Sequence, residues 1–374
     1  MVRIQPPMND ESRYMQRAIE LAYRGEGFVE PNPMVGCVLV RNDAVVGEGW
    51  HQRFGGPHAE IEALRMAGEA ARGATAYVTL EPCAHTGKTP PCTEALISAG
   101  VARVVIGHRD PNPVVDGRGI ERLRAAGIDV ELLDGIAEAR ELLAPFAKLM
   151  TVGQPWVIAK WAMTLDGKIA AHTGDSQWIS SEASRAIVHQ LRGRVDAVVV
   201  GRGTAEQDDP LLTPRPAGPR VPTRIVLDSQ AVLSLESQLV RTAVEAPVLV
   251  AAAANAPDSR CHALREAGVE VWQAPAAAVA PSERWISLLD ELGRRRMTNI
   301  LVEGGGHVLG ALLDTDAIDE VHAFIAPRLI GGAGPSPICG AGRAVMVDAL
   351  RLASPRVETI GEDVYVSGRV LRSR

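Results

Sequence analysis

His58-Ala59-Glu60-Ile61-Glu62-Ala63-Leu64-Arg65-Met66, read together with Glu81-Pro82-Cys83 and Thr89-Pro90-Pro91-Cys92, is the stretch that decides how this chain folds. Ile61, Leu64 and Ala67 form one apolar stripe, so a helix is predicted over His58 to Met66 with His58 at its start. Thr75 to Leu80 reads as a strand that leads into Pro82-Cys83, and Pro91 to Ser98 as the next helix. A histidine and two cysteines are ligands that zinc prefers, and three of them leave one tetrahedral position for water.

Glu60, two residues from His58, can approach such a site without coordinating the metal. Zinc lowers the pKa of a bound water to about 7, and a neighbouring glutamate can pass the proton to a departing amine. The order His-x-Glu, then Pro-Cys and a second Cys, is the signature of zinc deaminases as a class. The spacing departs from the short form: Ala84 to Pro91 separate the cysteines, and this insert carries one cation, Lys88. A donor-rich loop between two metal ligands is suited to an anionic group such as phosphate. Cys37, inside a predicted strand, reads as a buried apolar residue rather than a fourth ligand.

Working outward, strand and helix alternate along the chain, the pattern of α/β layers. A helix is predicted over Asp10 to Arg24, then strands Val35–Val40 and Ala44–Trp50 joined across Asn42-Asp43. Strand Arg103–Gly107, helix Ile120–Ala126, strand Ile128–Leu133 and helix Ile136–Met150 follow, with Gly100 and Gly127 at the helix-ending left-handed position. Val152-Gly153-Gln154-Pro155 breaks the pattern, so domains are placed at 1–151 and 155–374. The second part is read as strand Trp156–Thr164, helix Ser181–Arg192, strand Ala197–Gly201 and a proline-rich loop from Pro210 to Pro222. Strands Arg224–Asp228, Val248–Ala252, Val269–Trp272 and Asn299–Glu303 alternate with helices Ser259–Ala267, Pro281–Arg294 and Val308–Leu313, before a strand-rich tail. Glycines 304–306 between a strand and a helix can admit a phosphate, although neither they nor Gly201-Arg202-Gly203 complete a dinucleotide fingerprint.

Composition narrows the function. The chain has 374 residues, enough for two cores, and its 46% hydrophobic and 22% charged content is that of globular domains. Net charge is −6 and aromatics are 4%, which disfavours a nucleic-acid partner. No segment has the length of a membrane span or the form of a signal peptide, and five scattered cysteines do not build a disulfide framework. A cytoplasmic enzyme that forms a homo-oligomer and binds no membrane is expected.

These motifs resemble the bifunctional riboflavin-biosynthesis deaminase/reductases, a cytidine-deaminase-like α/β/α domain followed by a dihydrofolate-reductase-like α/β domain. The similar segments are Pro31-Asn32-Pro33-Met34-Val35-Gly36, Gly49-Trp50-His51, the zinc motifs above, and Asp110-Pro111-Asn112-Pro113. Lys160 to Lys168, Gly174 to Ser180, Gly203 to Thr213 and Glu303-Gly304-Gly305 are similar to the reductase. The resemblance implies zinc at His58, Cys83 and Cys92, Glu60 as proton carrier, and deaminase substrate contacts from Asn32, His51, His85, Lys88, Asp110 and Asn112. It implies NADPH contacts from Ala162, Trp178, Thr204, Asp208, Ser229, Gly305 and Gly306, and reductase substrate contacts from Ser176, Arg192, Leu212, Arg215 and Glu303. The implied substrate is a diamino-pyrimidinone bearing a phosphoribosylamino group. Two other readings stay open at this level: a nucleic-acid-editing or other nucleobase deaminase with an accessory nucleotide-binding domain, and a structural-zinc scaffold with no activity.

Overall fold

Val38 and Val40 face one side of the first strand, Cys37 and Leu39 the other, and all four are buried. A strand apolar on both faces belongs inside a sheet covered by helices above and below. The computed structural model describes residues 10–84, 90–112, 115–133 and 135–372. The chain divides into two compact units, Met1–Gly153 and Gln154–Arg374.

In the first unit, β1 (Gly36–Arg41) pairs antiparallel with β2 (Ala44–Trp50) and with β3 (Thr75–Val78). The β1–β2 turn passes through Asn42 and Asp43, both at positive φ, which these two residue types tolerate. Parallel strands β4 (Arg103–Ile106) and β5 (Asp129–Leu132) complete the order β2-β1-β3-β4-β5. Helix α1 (Asp10–Ala22) and Ala139 of α5 (Ala137–Thr151) cover the Val38 face, while α2 (Ala59–Ala67), α3 (Cys92–Ala99) and α4 (Arg118–Ala125) cover the Cys37 face. Helix α2 lies close on β2 for a sequence reason. A Cβ at Gly49 would sit 2.3 Å from the Ala59 carbonyl oxygen, and one at Gly47 2.3 Å from that of Ala63. Ala59, Ala63 and Ala67 present the matching small face from the helix.

The second unit has, among the described residues, a nine-stranded sheet. Its members are β6 (Trp156–Thr164), β7 (Ala197–Gly201), β8 (Thr223–Leu227), β9 (Val248–Ala252), β10 (Glu270–Gln273), β11 (Asn299–Val302), β12 (Glu320–Ala326), β13 (Arg351–Ile360) and β14 (Asp363–Leu371). The order is β10-β9-β8-β7-β11-β6-β12-β14-β13, parallel from β10 to β12 and antiparallel at the last two pairings. One face is covered by α6 (Glu182–Arg192), α7 (Arg202–Asp208), α8 (Gln238–Arg241) and α9 (Asp258–Glu266), the other by α10 (Pro281–Arg294) and α11 (Gly306–Asp314).

Three local expectations need correction. The strand before Cys83 ends at Val78, because Thr79 leaves the ladder to bond Gly36 through both its backbone N–H and its hydroxyl. Cys83 therefore sits on a loop. Helices α7 and α8 were not expected; seven and four residues are too short to show a period. Ser237 caps α8 by accepting from the Val240 N–H, a signal that needs no periodicity.

Candidate active sites

Two helix starts build the first site. His58 is the residue just before α2 and Cys92 is the first residue of α3. His58 turns Nδ1 toward both sulfurs, 3.2 Å from Cys92 Sγ and 3.7 Å from Cys83 Sγ. The three ligand atoms lie within 4.8 Å of one another. One imidazole nitrogen and two sulfurs at that spacing fit a tetrahedral zinc with bonds of about 2.0–2.3 Å. The Cys83 loop is anchored on α3: Thr93 donates to the Cys83 carbonyl through its backbone N–H and hydroxyl, each at 3.2 Å, and the Cys92 N–H donates to Cys83 Sγ at 3.3 Å. Hydrogen bonding from the Cys92 thiol, then from His58 and that N–H, holds the Cys83 thiol down to about 4. The Cys92 thiol is pushed up by the same contact and by burial.

Glu60 is only 3% exposed, and burial pushes its carboxyl up, with His58 opposing. His51 is also buried, and its ring meets that of His58 edge-on at 5.4 Å. The Pro57 carbonyl, 2.9 Å from His51 Nδ1, can only accept, so Nδ1 carries the proton and Nε2 accepts from the Asn32 amide at 3.3 Å. Burial holds His51 below the usual imidazole range, in keeping with that neutral tautomer. Asn32, His51 and His58 thus form one connected group, with Glu60 coupled to it through the charge of His58. Asp110 and Asn112 lie on a loop where Asp110 Oδ1 accepts from the Asn112 N–H at 2.8 Å. His85 and Lys88 lie outside the described residues.

Sequence reasoning passed over Glu81. Its carboxylate is buried and accepts four backbone N–H groups: Gly119 at 2.8 Å, Gly117 at 3.1 Å, Ile120 at 3.2 Å and Asp110 at 3.3 Å. It caps the start of α4 and ties the Cys83 loop to the Asp110 loop. A Cβ at Gly119 would lie 2.0 Å from the Pro82 carbonyl oxygen, so glycine is needed where α4 meets that loop. An acid between Leu80 and Pro82, two residues before Cys83, was the available signal.

The second site lies at the carboxyl ends of the parallel strands, where β11 is inserted between β6 and β7 and the strand order reverses. Glu303 follows β11, Gly201 ends β7 and Ser229 lies two residues beyond β8. Arg192 on α6 grips Glu303 with two bonds, Nε to Oε1 at 2.6 Å and Nη2 to Oε2 at 2.9 Å. Lys160 of β6, absent from the sequence-based assignment, brings Nζ to 3.8 Å from Glu303 Oε2. Burial opposes ionisation of Glu303, but Arg192 and then Lys160 outweigh it and hold the carboxyl below its ordinary range. Burial pushes the Lys160 ammonium down, Glu303 working against it. His189, bonded to the Thr213 carbonyl at 3.2 Å, is also pushed down by burial and by Arg192.

The glycines after β11 differ in role. A Cβ at Gly306 would lie 2.6 Å from Cys339 Sγ, so that glycine admits a neighbouring loop. At Gly305 it would meet nothing closer than Thr204 Oγ1 at 3.7 Å. The start of α11 is therefore open at Gly305 and beside Thr204, which fits the phosphates of a dinucleotide. Ser176 hydrogen-bonds Asp208, whose carboxyl burial nevertheless raises. Trp178 is exposed, with the Arg185 guanidinium 4.5 Å from its ring centre. Leu212 is buried and at positive φ. Ala162 lies on β6, in contact with the Phe324 and Tyr365 cluster, and Arg215 precedes Pro216 in the proline-rich loop.

Residues 8–108 match the cytidine and deoxycytidylate deaminase zinc-binding region, and residues 155–366 match the RibD C-terminal domain. The chain belongs to the RibD family. It is 42% identical over 356 residues to the riboflavin biosynthesis protein RibD of Actinobacillus pleuropneumoniae, covering 94% of this chain and 93% of that one. It is 41% identical to the RibD of Escherichia coli, covering 96% and 98%. Among solved structures, Acinetobacter baumannii RibD superposes with a TM-score of 0.85 at 36% identity, covering 97% of this chain and 99% of that one. A diaminohydroxyphosphoribosylaminopyrimidine deaminase/5-amino-6-(5-phosphoribosylamino)uracil reductase from Thermotoga maritima does so with 0.83 at 38% identity and the same coverage. Both halves of the RibD family are present, which disfavours the editing-deaminase and inert-scaffold readings.

Proposed function

We infer that the chain catalyses two successive steps of riboflavin biosynthesis. The first is zinc-dependent hydrolytic deamination of 2,5-diamino-6-(5-phosphoribosylamino)pyrimidin-4-one. The second is NADPH-dependent reduction of the ribosyl group to a ribityl chain. The observation that carries this reading is the His58–Cys83–Cys92 triangle beside buried Glu60, in a chain similar to RibD proteins over both units.

In the deaminase we assign His58, Cys83 and Cys92 to zinc, which when bound supplies a Lewis acid and an ionisable water at neutral pH. The helix starts that carry His58 and Cys92 favour the negative charge of the thiolates. Glu60 takes a proton and returns it to the leaving amine; its raised carboxyl pKa suits a group that must do both. Neutral His51 fixes the Asn32 amide by accepting its N–H, leaving the amide oxygen to receive the amino-substituted ring. Asp110 and Asn112 are assigned to the substrate as well. His85 and Lys88 are assigned to it, with Lys88 on the phosphate, by resemblance and by the chemistry of the insert.

In the reductase NADPH supplies the hydride, and the chain binds and orients. Gly305, Gly306, Thr204, Ala162, Trp178, Asp208 and Ser229 are assigned to the cofactor. Ser176, Leu212, Arg192, Arg215 and Glu303 are assigned to the substrate, the two arginines giving positive charge to its phosphate. We place the deaminase in 1–151 and the reductase in 155–374. No helix of the described residues is long and apolar enough to cross a membrane, and the free cysteines suit a cytoplasmic setting. A homo-oligomer is favoured by exposed Leu329, Met346 and Val347 on the second unit.

Metal analysis of Cys83→Ser tests the assignment. The variant should lose zinc and deamination while reducing the deaminated intermediate normally. Deamination by a zinc-free protein would refute it.

A further inference from the structure

Residues 171–181, which carry Ser176 and Trp178, form neither helix nor strand, and all of them are half-buried or exposed. Such a stretch has no ladder to hold it, so its backbone groups need partners elsewhere. At its beginning it bonds to itself: the Gly174 N–H donates to the Ala171 carbonyl at 3.0 Å and the Ala171 N–H to the Asp175 carbonyl at 2.8 Å. Closer to α6 the partners are side chains. Arg328 Nη1 donates to the Trp178 carbonyl at 2.8 Å, and Arg185 Nη1 to the Ser180 carbonyl at 2.6 Å. The Ser181 N–H donates to Asp363 Oδ2 at 2.7 Å. Of these three anchors Asp363 alone is fully buried; Arg328 is exposed and Arg185 half-buried.

Asp363 opens β14, and the same Oδ2 accepts from the Ser184 hydroxyl at 2.6 Å. The turn before it lies against Ser181 as well. Ser181 Oγ donates to the Ile360 carbonyl at 3.4 Å, and a Cβ at Gly361 would come within 3.2 Å of that Oγ. Helix capping does not account for the acid, because Ser181 already caps α6 by accepting the Ser184 N–H at 3.3 Å. Stability does not account for it either. Oδ1 is buried with no hydrogen-bond partner among the described residues, and an orphan buried acceptor weakens a fold. What the carboxylate adds is a fixed point between two functional segments. Ser176 and Trp178 come shortly before Ser181, and Arg192 ends the helix that Ser181 caps.

We propose that Asp363 is a positioning residue for the reductase, fixing the junction where the segment bearing Ser176 and Trp178 enters the helix bearing Arg192. Arg328 is the outer anchor of the same segment, holding it at Trp178. The proposal rests on the reductase reading.

The test is steady-state reduction of the deaminated intermediate by the full-length, zinc-loaded protein, with calorimetric titration of NADPH. Asp363→Ala should raise KM for NADPH and for the intermediate by roughly ten-fold each, the worth of a charge-assisted bond, with a smaller change in kcat. Asp363→Asn keeps an acceptor for the Ser181 N–H and should hold both KM values within roughly threefold of wild type. A role in stability alone would lower the melting transition and the folded fraction, and with it kcat, but leave both KM values and the NADPH affinity unmoved. Arg328→Ala should weaken NADPH by roughly three- to ten-fold. Its side chain is exposed, so the fold does not depend on it, and it carries the decision if Asp363→Ala does not fold. Unchanged KM values in Asp363→Ala, no rescue by Asp363→Asn, or, where Asp363→Ala does not fold, unchanged NADPH affinity in Arg328→Ala would overturn the proposal while leaving the reductase reading standing. Failure of wild-type protein to reduce the intermediate would overturn both.

Discussion

The two units place their chemistry differently. In the first, the three atoms that could hold a metal and the buried Glu60 come from two helix starts and one loop, all within residues 58 to 92. In the second, the charged cluster draws Lys160 from β6 and Arg192 from α6 onto Glu303 at the end of β11, more than a hundred residues from either. A metal site depends on a few atoms whose identity chemistry dictates. A cofactor site depends on backbone approach and on charges balanced against burial, which many sequences can supply. Substitutions should therefore act as loss of rate in the first unit and as loss of stability in the second.

The largest effect is expected at Glu60. Glu60→Gln keeps the shape but cannot carry the proton, so deaminase kcat should fall about 10²–10⁴-fold with zinc retained and reduction unchanged. Zinc loss in that variant would make Glu60 a ligand and erase the distinction between holding the metal and moving the proton. Next is Arg192→Ala, which leaves the buried Glu303 carboxylate with the more distant Lys160 as its charged partner. Removing one partner of such a pair costs about 3–5 kcal/mol, read as a lower melting transition for the second unit. Replacing Arg192, Glu303 and Lys160 together by apolar residues should recover much of that stability but not reductase activity. A reductase lost without any loss of stability would break the comparison.

Smaller effects probe the scaffold of the zinc site. Gly49→Ala forces a methyl into the Ala59 carbonyl and should cost about 1–3 kcal/mol, lowering deamination by moving His58 and Glu60 together. Glu81→Gln replaces one accepting oxygen by a donor facing backbone N–H groups. It should raise deaminase KM by about ten-fold, with a smaller change in kcat, because the Asp110 loop loosens before the metal does. Equal falls in kcat and zinc content would make Glu81 a support of the metal alone.

How much could be read in advance follows the same division. Strands β2, β6, β7 and β9 and helix α10 fall on their predicted bounds, since each has a clear period or an apolar run between turn residues. The meeting of His58, Cys83 and Cys92 was legible because that spacing has few other uses, although the loop carrying Cys83 reads in the sequence as a strand end. Gly47 and Gly49 gave no sign that they admit α2, since only the folded contact shows it. Glu81 was hidden because its partners are backbone groups 29 to 39 residues away, and backbone leaves no mark in a sequence. Lys160 was hidden because a lysine in a strand reads as a solvent-facing residue until Glu303 is folded against it. The Asp363 anchor depends on the turn between β13 and β14 meeting the start of α6, which no local pattern states.

The central claim is that one chain carries two chemistries in a fixed order, deamination in the first unit and reduction in the second. The direct measurement is incubation of the zinc-loaded protein with the diamino-pyrimidinone phosphoribosyl substrate, with and without NADPH, followed by mass spectrometry. Without NADPH the deaminated phosphoribosyl compound should accumulate, and with NADPH it should pass to the ribityl product. Glu60→Gln with NADPH should leave the substrate unchanged, although it still reduces the deaminated compound when that is supplied. A reduced product that still carries both amino groups, or deamination that requires NADPH, would contradict the account.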